Sequence, residues 1–256
     1  MKKNVVAGLG EIGGPILKLI SRHCTAVGYD TNSKLNSRLL KKYDSMKTSI
    51  LHICIPSTDI EQNVQALFRQ FKPELITIHS TIPPGTTSKL QKRLPIPVMY
   101  SPTRGIHGRM LKDLQRYTKY FALEADAPRP RWAASTFKKL MEQCSVKTKK
   151  MSKPVTLELA KLVVDTSYYG WLISYAQISK MIANKYDANY DEMWDFSDEI
   201  HKYLGNRPRM FPGVIGGHCI LQNLELIDEK KLYEINNIND IFTKMTQLHE
   251  KTLSGK

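Results

Sequence analysis

The chain is poor in cysteine, has no long apolar run and is short of acidic residues in its first 150 positions. Its four cysteines, Cys24, Cys54, Cys144 and Cys219, have no CxxC spacing and are too few to staple 256 residues. That excludes a disulfide scaffold and leaves reduced thiols. No stretch approaches the roughly 20 apolar residues of a membrane span. The N-terminus MKKNVVAGLG enters a glycine turn without the h-region or cleavage site of a signal peptide. A soluble, cytoplasmic protein is expected. No histidine pair has ligand spacing, so no metal is assigned.

What is present divides unevenly. Residues 1–150 carry 26 basic and 10 acidic side chains, whereas residues 151–256 carry 12 and 14, so the formal charge of +14 belongs to the first part. A small anionic substrate or an acidic partner suits that half. Nucleic-acid binding is not favoured, because no RNP, KH or zinc-finger signature accompanies the charge. The basic stretch Arg104, His107, Arg109, Lys112, Arg116 and Lys119 reads first as a solvated face. With 41% hydrophobic and 24% charged residues, the chain can fill a core.

Short apolar runs at Lys3–Ala7, Thr25–Tyr29, Ser49–Ile55, Leu75–His79, Pro97–Tyr100 and Tyr120–Glu124 read as strands. They alternate with helix-like stretches at Pro15–Ile20 and Asp59–Phe71. This pattern predicts an α/β fold, a doubly wound Rossmann-type parallel sheet. After Pro154 the period becomes helical, with Leu157, Ala160, Val164, Tyr168, Trp171, Leu172 and Tyr175, and a second helix is expected over Asp191–Tyr203. The basic segment VKTKKMSKPV marks the boundary. The expected division is a Rossmann-like domain over 1–150 and a smaller all-helical domain over 151–256.

Gly8-Leu9-Gly10-Glu11-Ile12-Gly13 fits GxGxxG between a strand and a helix. The first glycine permits the turn, the second lets backbone approach a pyrophosphate, and the third lets helix and strand pack closely. Asp30, at the end of the second strand, can accept from a ribose 2′-hydroxyl and repel a 2′-phosphate, so NAD is favoured over NADP.

Five ordered segments then carry a resemblance. They are Ile53-Cys-Ile-Pro56-Ser57-Thr58, Ser80-Thr81-Ile-Pro-Pro-Gly-Thr-Thr87, Ser101-Pro102, Leu157-Glu158-Leu-Ala-Lys161-Leu162 and Gly216-Gly217-His218-Cys219-Ile220. Together they resemble the UDP-glucose/GDP-mannose dehydrogenase family over roughly residues 4–225. The resemblance implies an NAD-dependent dehydrogenase oxidising a primary hydroxyl of a sugar-nucleotide-like or other anionic substrate. It implies a Cys219 thiohemiacetal and thioester, Lys161 stabilising oxygen charge, Thr81 near nicotinamide and substrate, and Asp165 positioning substrate and water. Pro56, Ser57 and Thr81 join the glycine turn as cofactor contacts, and the central helix forms a homodimer.

The departures are also specific. Asp165 stands where the family usually has Asn, Thr103 where Glu is usual, and Asn223 where Asp is usual, and the loop before Cys219 is one residue shorter. Only 37 residues follow Cys219, so this is expected to be a short member lacking the C-terminal nucleotide-sugar domain, which a separate subunit could supply. Two alternatives follow. One is a single-oxidation enzyme resembling β-hydroxyacid dehydrogenases, using Lys161 without covalent catalysis; the other is a degenerate NAD-binding partner subunit.

Overall fold

The computed structural model describes residues 2–203, 212–216, 220–226 and 232–254. The chain forms two compact units, Met1–Lys161 and Leu162–Lys256.

The first unit is built on a seven-stranded sheet. Its strands are β1 (Lys3–Ala7), β2 (Ala26–Tyr29), β3 (Thr48–Ile53), β4 (Leu75–Ile78), β5 (Val98–Tyr100), β6 (Lys119–Leu123) and β7 (Thr148–Lys150). They lie in the order β2-β1-β3-β4-β5-β6-β7. From β1 the chain builds outward to β2, then crosses to the other side of β1 for β3, so the order reverses between β1 and β3. In an open α/β sheet that reversal opens a crevice at the carboxyl ends of the strands.

The strands alternate side chains between two buried layers. On one face Val6, Ile50, Leu75, Met99 and Phe121 pack with Ile16, Leu114 and Phe137. These last belong to α1 (Gly13–Ile20), α5 (Met110–Arg116) and α6 (Pro130–Gln143). On the other face Val5, Leu51, Ile53, Ile76, Ile78 and Tyr100 pack with Val64, Leu90 and Leu157, from α3 (Ile60–Phe71), α4 (Thr86–Arg93) and α7 (Pro154–Leu159). A four-residue α2 (Leu39–Lys42) precedes β3. Burial on both faces explains why the strands read as continuous apolar runs.

The expected α/β sheet is present, with one correction to its parallel character: β5 and β6 pair antiparallel. The link between them carries the seven-residue α5, which packs on α1 instead of crossing the sheet, so the chain enters β6 from the end at which it left β5. The segment read as a boundary also forms a strand, because β7 pairs parallel with β6. Its exposed Lys149 and Lys150 blunt the sheet edge.

Every described element of the second unit is helical. A π-helical turn, Ala160–Ser167, runs into α8 (Tyr168–Lys185), followed by α9 (Tyr190–Tyr203), α10 (Leu221–Glu225) and α11 (Glu234–Ser254). Ile215, Ile220, Leu224 and Ile235 form its buried cluster. A β-carbon on Gly170 would come within 3.1 Å of Ile220 and 3.3 Å of Ile235, so α8 packs closely on this cluster at Gly170 as well as through Ile173.

Candidate cofactor and active site

The glycine turn closes by backbone contact. Gly8 has φ +85°, and its N–H donates to the Tyr29 carbonyl at 2.9 Å. A β-carbon on Gly13 would sit 1.7 Å from the Gly8 carbonyl oxygen, and one on Gly8 would sit 2.6 Å from that of Cys54. At Gly10 nothing lies within 4 Å of the same construction. Two glycines therefore hold the turn against α1 and β3, while the middle one leaves backbone open to a ligand at the start of α1. These are the spaces that a pyrophosphate-binding turn requires.

Asp30 is anchored beside it. Its Oδ2 accepts from the Leu9 N–H at 2.7 Å and its Oδ1 from the Asn32 N–H at 2.9 Å, while its own N–H donates to Asn36 Oδ1 at 2.5 Å. Each carboxylate oxygen keeps a second lone pair for a ribose hydroxyl. Gly8, Leu9, Gly10, Glu11, Ile12, Asp30, Pro56, Ser57 and Thr81 lie on loops following β1 to β4, at the carboxyl edge of the sheet, and Gly13 opens α1.

The loop carrying Thr81 is held at both ends. Ser80 Oγ donates to the Ile55 carbonyl at 2.5 Å. Beyond the loop, Glu158 accepts from the Gly85 N–H at 2.6 Å, the Thr87 N–H at 3.0 Å and the Thr87 hydroxyl at 2.6 Å. At helical spacing Glu158 would share one face with Lys161 and Asp165. The structure instead buries Glu158 completely as the cap of α4, while Lys161 is half-buried and Asp165 exposed. Both of the latter lie in the π-helical turn, a conformation frequent at functional sites.

Beneath the crevice runs a polar seam that sequence reasoning missed. The Ser101 carbonyl can only accept, so His79 Nδ1 carries the proton in their 2.9 Å contact. His79 Nε2 then accepts from His52 Nδ1–H at 2.9 Å. Burial lowers His52 to about 3 and takes His79 well below its usual range, so both rings stay neutral. Continuous apolar patterning gives no hint of two buried imidazoles, His52 on β3 and His79 just past the end of β4.

Next to them Lys119, 6% exposed, donates to the Pro102 carbonyl at 3.0 Å and Thr103 Oγ1 at 3.1 Å. Burial lowers its pKa to about 7; Cys54 opposes that shift, and the nearby charges of Lys161 and Arg104 add to it. Burial pushes the Cys54 thiol up to about 12, against the attraction of Lys119, and its side chain packs against the first apolar layer. Thr103 is itself buried. Where the family usually has Glu, this chain has a hydroxyl bonded to a buried ammonium.

Part of the basic stretch is committed to structure. Arg104 donates to the Thr118 carbonyl at 2.7 Å and lies over the Tyr117 and Tyr120 rings. Arg109 pairs with Asp113 at 3.0 Å. Cys219, with Gly217 and His218, lies outside the described residues; Asn223 lies on α10.

The fold and the glycine turn define a Rossmann-type α/β architecture. No protein-family model matches the chain. It is 27% identical, over 90% of its length, to a UDP-N-acetyl-D-mannosamine dehydrogenase of Methanococcus maripaludis, and 26% identical over 90% to one of Methanocaldococcus jannaschii. It spans 62% of the length of each of these relatives. Among solved structures it is similar to the UDP-D-ManNAc dehydrogenase of Pyrococcus horikoshii, with TM-score 0.80, 20% identity, and coverage of 99% of this chain and 72% of that one. It also shares its fold with a Mycobacterium tuberculosis 3-hydroxyisobutyrate dehydrogenase, with TM-score 0.69, 12% identity, and coverage of 96% and 94%. The resemblance carried by the five segments is borne out by this similarity to UDP-N-acetyl-D-mannosamine dehydrogenases.

Proposed function

We propose that this chain is an NAD-dependent dehydrogenase that oxidises a primary hydroxyl of a sugar-nucleotide-like, anionic substrate. The observation carrying this reading is the glycine turn with open space only at Gly10, beside an Asp30 already oriented by Leu9 and Asn32. The names of its relatives support the same class of reaction.

Residues 1–150 serve the cofactor and residues 151–256 the substrate and dimer contacts. Gly8 to Gly13 and Asp30 hold the dinucleotide, with Pro56, Ser57 and Thr81 lining its path. Bound there, NAD supplies the hydride acceptor. Lys161 stabilises negative charge on the substrate oxygen, Thr81 and Asp165 position substrate and water, and the Cys219 thiolate captures the aldehyde carbon.

Exposed Tyr168, Tyr175 and Ile182 recur at seven-residue spacing along α8 and support a homodimer through the central helix. Tyr175→Glu is then expected to give monomers in analytical ultracentrifugation.

A second reading, a single oxidation without covalent catalysis, is favoured by one observation. Buried Thr103, bonded to Lys119, cannot act as a carboxylate base for thioester hydrolysis. The test is an NADH-production screen against nucleotide sugars, counting NADH formed per substrate consumed. Two supports the covalent route, one supports the second reading, and none with any substrate contradicts both. Unchanged turnover in Cys219→Ser would remove the thiohemiacetal from the account.

A further inference from the structure

β2 is the outer strand on its side of the sheet and pairs with β1 alone. The Thr25 carbonyl accepts from the Asn4 N–H and the Tyr29 carbonyl from the Gly8 N–H, both at 2.9 Å, so these residues turn their backbone toward β1. Gly28 and Asp30, in the alternate positions, turn theirs to the open edge. One short segment meets both. The Ser37 N–H donates to the Gly28 carbonyl at 3.0 Å, and the Asp30 N–H donates to Asn36 Oδ1 at 2.5 Å. Residues 36–37 thus stand where a further strand would, with a side-chain carbonyl in place of the second backbone partner.

The loop that returns Asn36 to this place is fixed in length by its own hydrogen bonds. Asp30 Oδ1 accepts from the Asn32 N–H at 2.9 Å, and Asn32 Oδ1 accepts from the Lys34 N–H at 3.2 Å. A single 3-10 turn, Ser33–Leu35, then delivers Asn36, whose N–H donates to the Ser33 carbonyl at 3.2 Å. On the other side, Leu9 is seated on bare strand: a β-carbon on Gly28 would lie 2.8 Å from Leu9 Cδ1. The Leu9 N–H that Asp30 Oδ2 accepts is therefore itself held in place.

Asp30 is bonded at three atoms, and the three bonds do different things. Those from Leu9 and Asn32 aim the carboxylate oxygens, whereas the one to Asn36 fixes the peptide from which the side chain springs. Asp30 and Asn36 are both half-buried, so water can take over the Asp30 N–H if the Asn36 oxygen is removed. What is lost then is orientation more than stability. Orientation bears unequally on the two dinucleotides. A hydrogen bond to a ribose 2′-hydroxyl weakens steeply with angle, while repulsion of a 2′-phosphate falls only slowly with distance.

We infer that Asn36 is a positioning residue for Asp30 and, through it, a determinant of the preference for NAD over NADP. This rests on the proposed role of Asp30 as acceptor for the adenosine ribose. It extends that role to a residue that no motif marks.

The test is isothermal titration of the intact chain with NAD and with NADP, for wild type, Asn36→Leu and Asn36→Asp, with melting temperature reporting folding. Asn36→Leu keeps the size and removes the acceptor; its Kd for NAD is expected to rise about fivefold through the lost alignment, with the Kd for NADP changed less than about twofold. Asn36→Asp keeps an oxygen acceptor and should retain the wild-type preference. Asn36→Ala serves the same comparison if leucine disturbs folding. Wild-type values for both dinucleotides in a folded Asn36→Leu, equal weakening of both, or like behaviour of the Leu and Asp variants would overturn the inference. Absence of NAD binding by wild type would instead remove the role of Asp30 itself, before any variant is compared.

Discussion

The two units hold their candidate functional segments by different means. In the first, the cofactor loops are fixed by backbone: two glycines that exclude a β-carbon, and strand ends that continue one another's ladders through Cys54 N–H to the Ala7 carbonyl and His79 N–H to the Ile53 carbonyl, both at 2.8 Å. In the second, an irregular segment is held by the side-chain amides of Gln177 and Asn239. Backbone-built sites follow from the fold and tolerate few side-chain changes at the glycines. Amide-built sites can be altered one hydrogen bond at a time.

The largest effect should come from attacking the backbone-built site. Gly13→Ala forces a β-carbon against the Gly8 carbonyl oxygen, with 1.7 Å available, so turn and helix must separate. A loss of several kcal/mol is expected, of the order seen for overpacked cores, together with loss of dinucleotide binding. Gly10→Ala is the contrasting case: open space predicts an unchanged melting temperature and weakened NAD binding. Equal destabilisation by the two substitutions would break the comparison.

Next comes the cap that holds the Thr81 loop. Glu158→Ala removes three hydrogen bonds and leaves the buried Thr87 hydroxyl and amide without their acceptor. A cost of about 2–4 kcal/mol follows from losing charge-assisted bonds at a buried site. Chemical denaturation measures it. A change within about 0.5 kcal/mol, the scale of an exposed ion pair, would contradict the capping role of Glu158.

The smallest effect is a slope. Lys119 is lowered to about 7, whereas an unfolded lysine titrates near 10.4. Above pH 7 the unfolded chain therefore holds the extra proton, and stability should rise with pH by at most about 1.4 kcal/mol per unit. The rise should run from pH 7 to about 9, where ionisation of unfolded cysteines begins to oppose it, since the folded Cys54 thiol resists ionisation until about 12. Lys119→Met should remove the rise. A parallel slope in wild type and variant would show that Lys119 is not the group responsible.

Much of the first unit was legible because its signals are local. GxGxxG, Asp30 and the apolar runs sit within short windows, and the structure returns them as β1, α1, β2 and the strands that follow. The antiparallel β6 was not legible, since a strand's own sequence says nothing of its direction in the sheet. The capping role of Glu158 was not legible because its partners lie more than 70 residues away, at Gly85 and Thr87. Helical spacing relates it only to Lys161 and Asp165. Lys119 and the two histidines carry polar side chains into the interior, where patterning expects apolar ones. Gln177 and Asn239 meet 62 positions apart, with no motif around either.

The central claim is that the first unit binds NAD through the Gly8–Gly13 turn and Asp30. Isothermal titration of the intact chain with NAD and NADP tests it most directly. The account predicts saturable NAD binding at least tenfold tighter than NADP, because Asp30 offers lone pairs to a 2′-hydroxyl and repels a 2′-phosphate. Absence of binding by either dinucleotide, or equal or tighter binding of NADP, would contradict it.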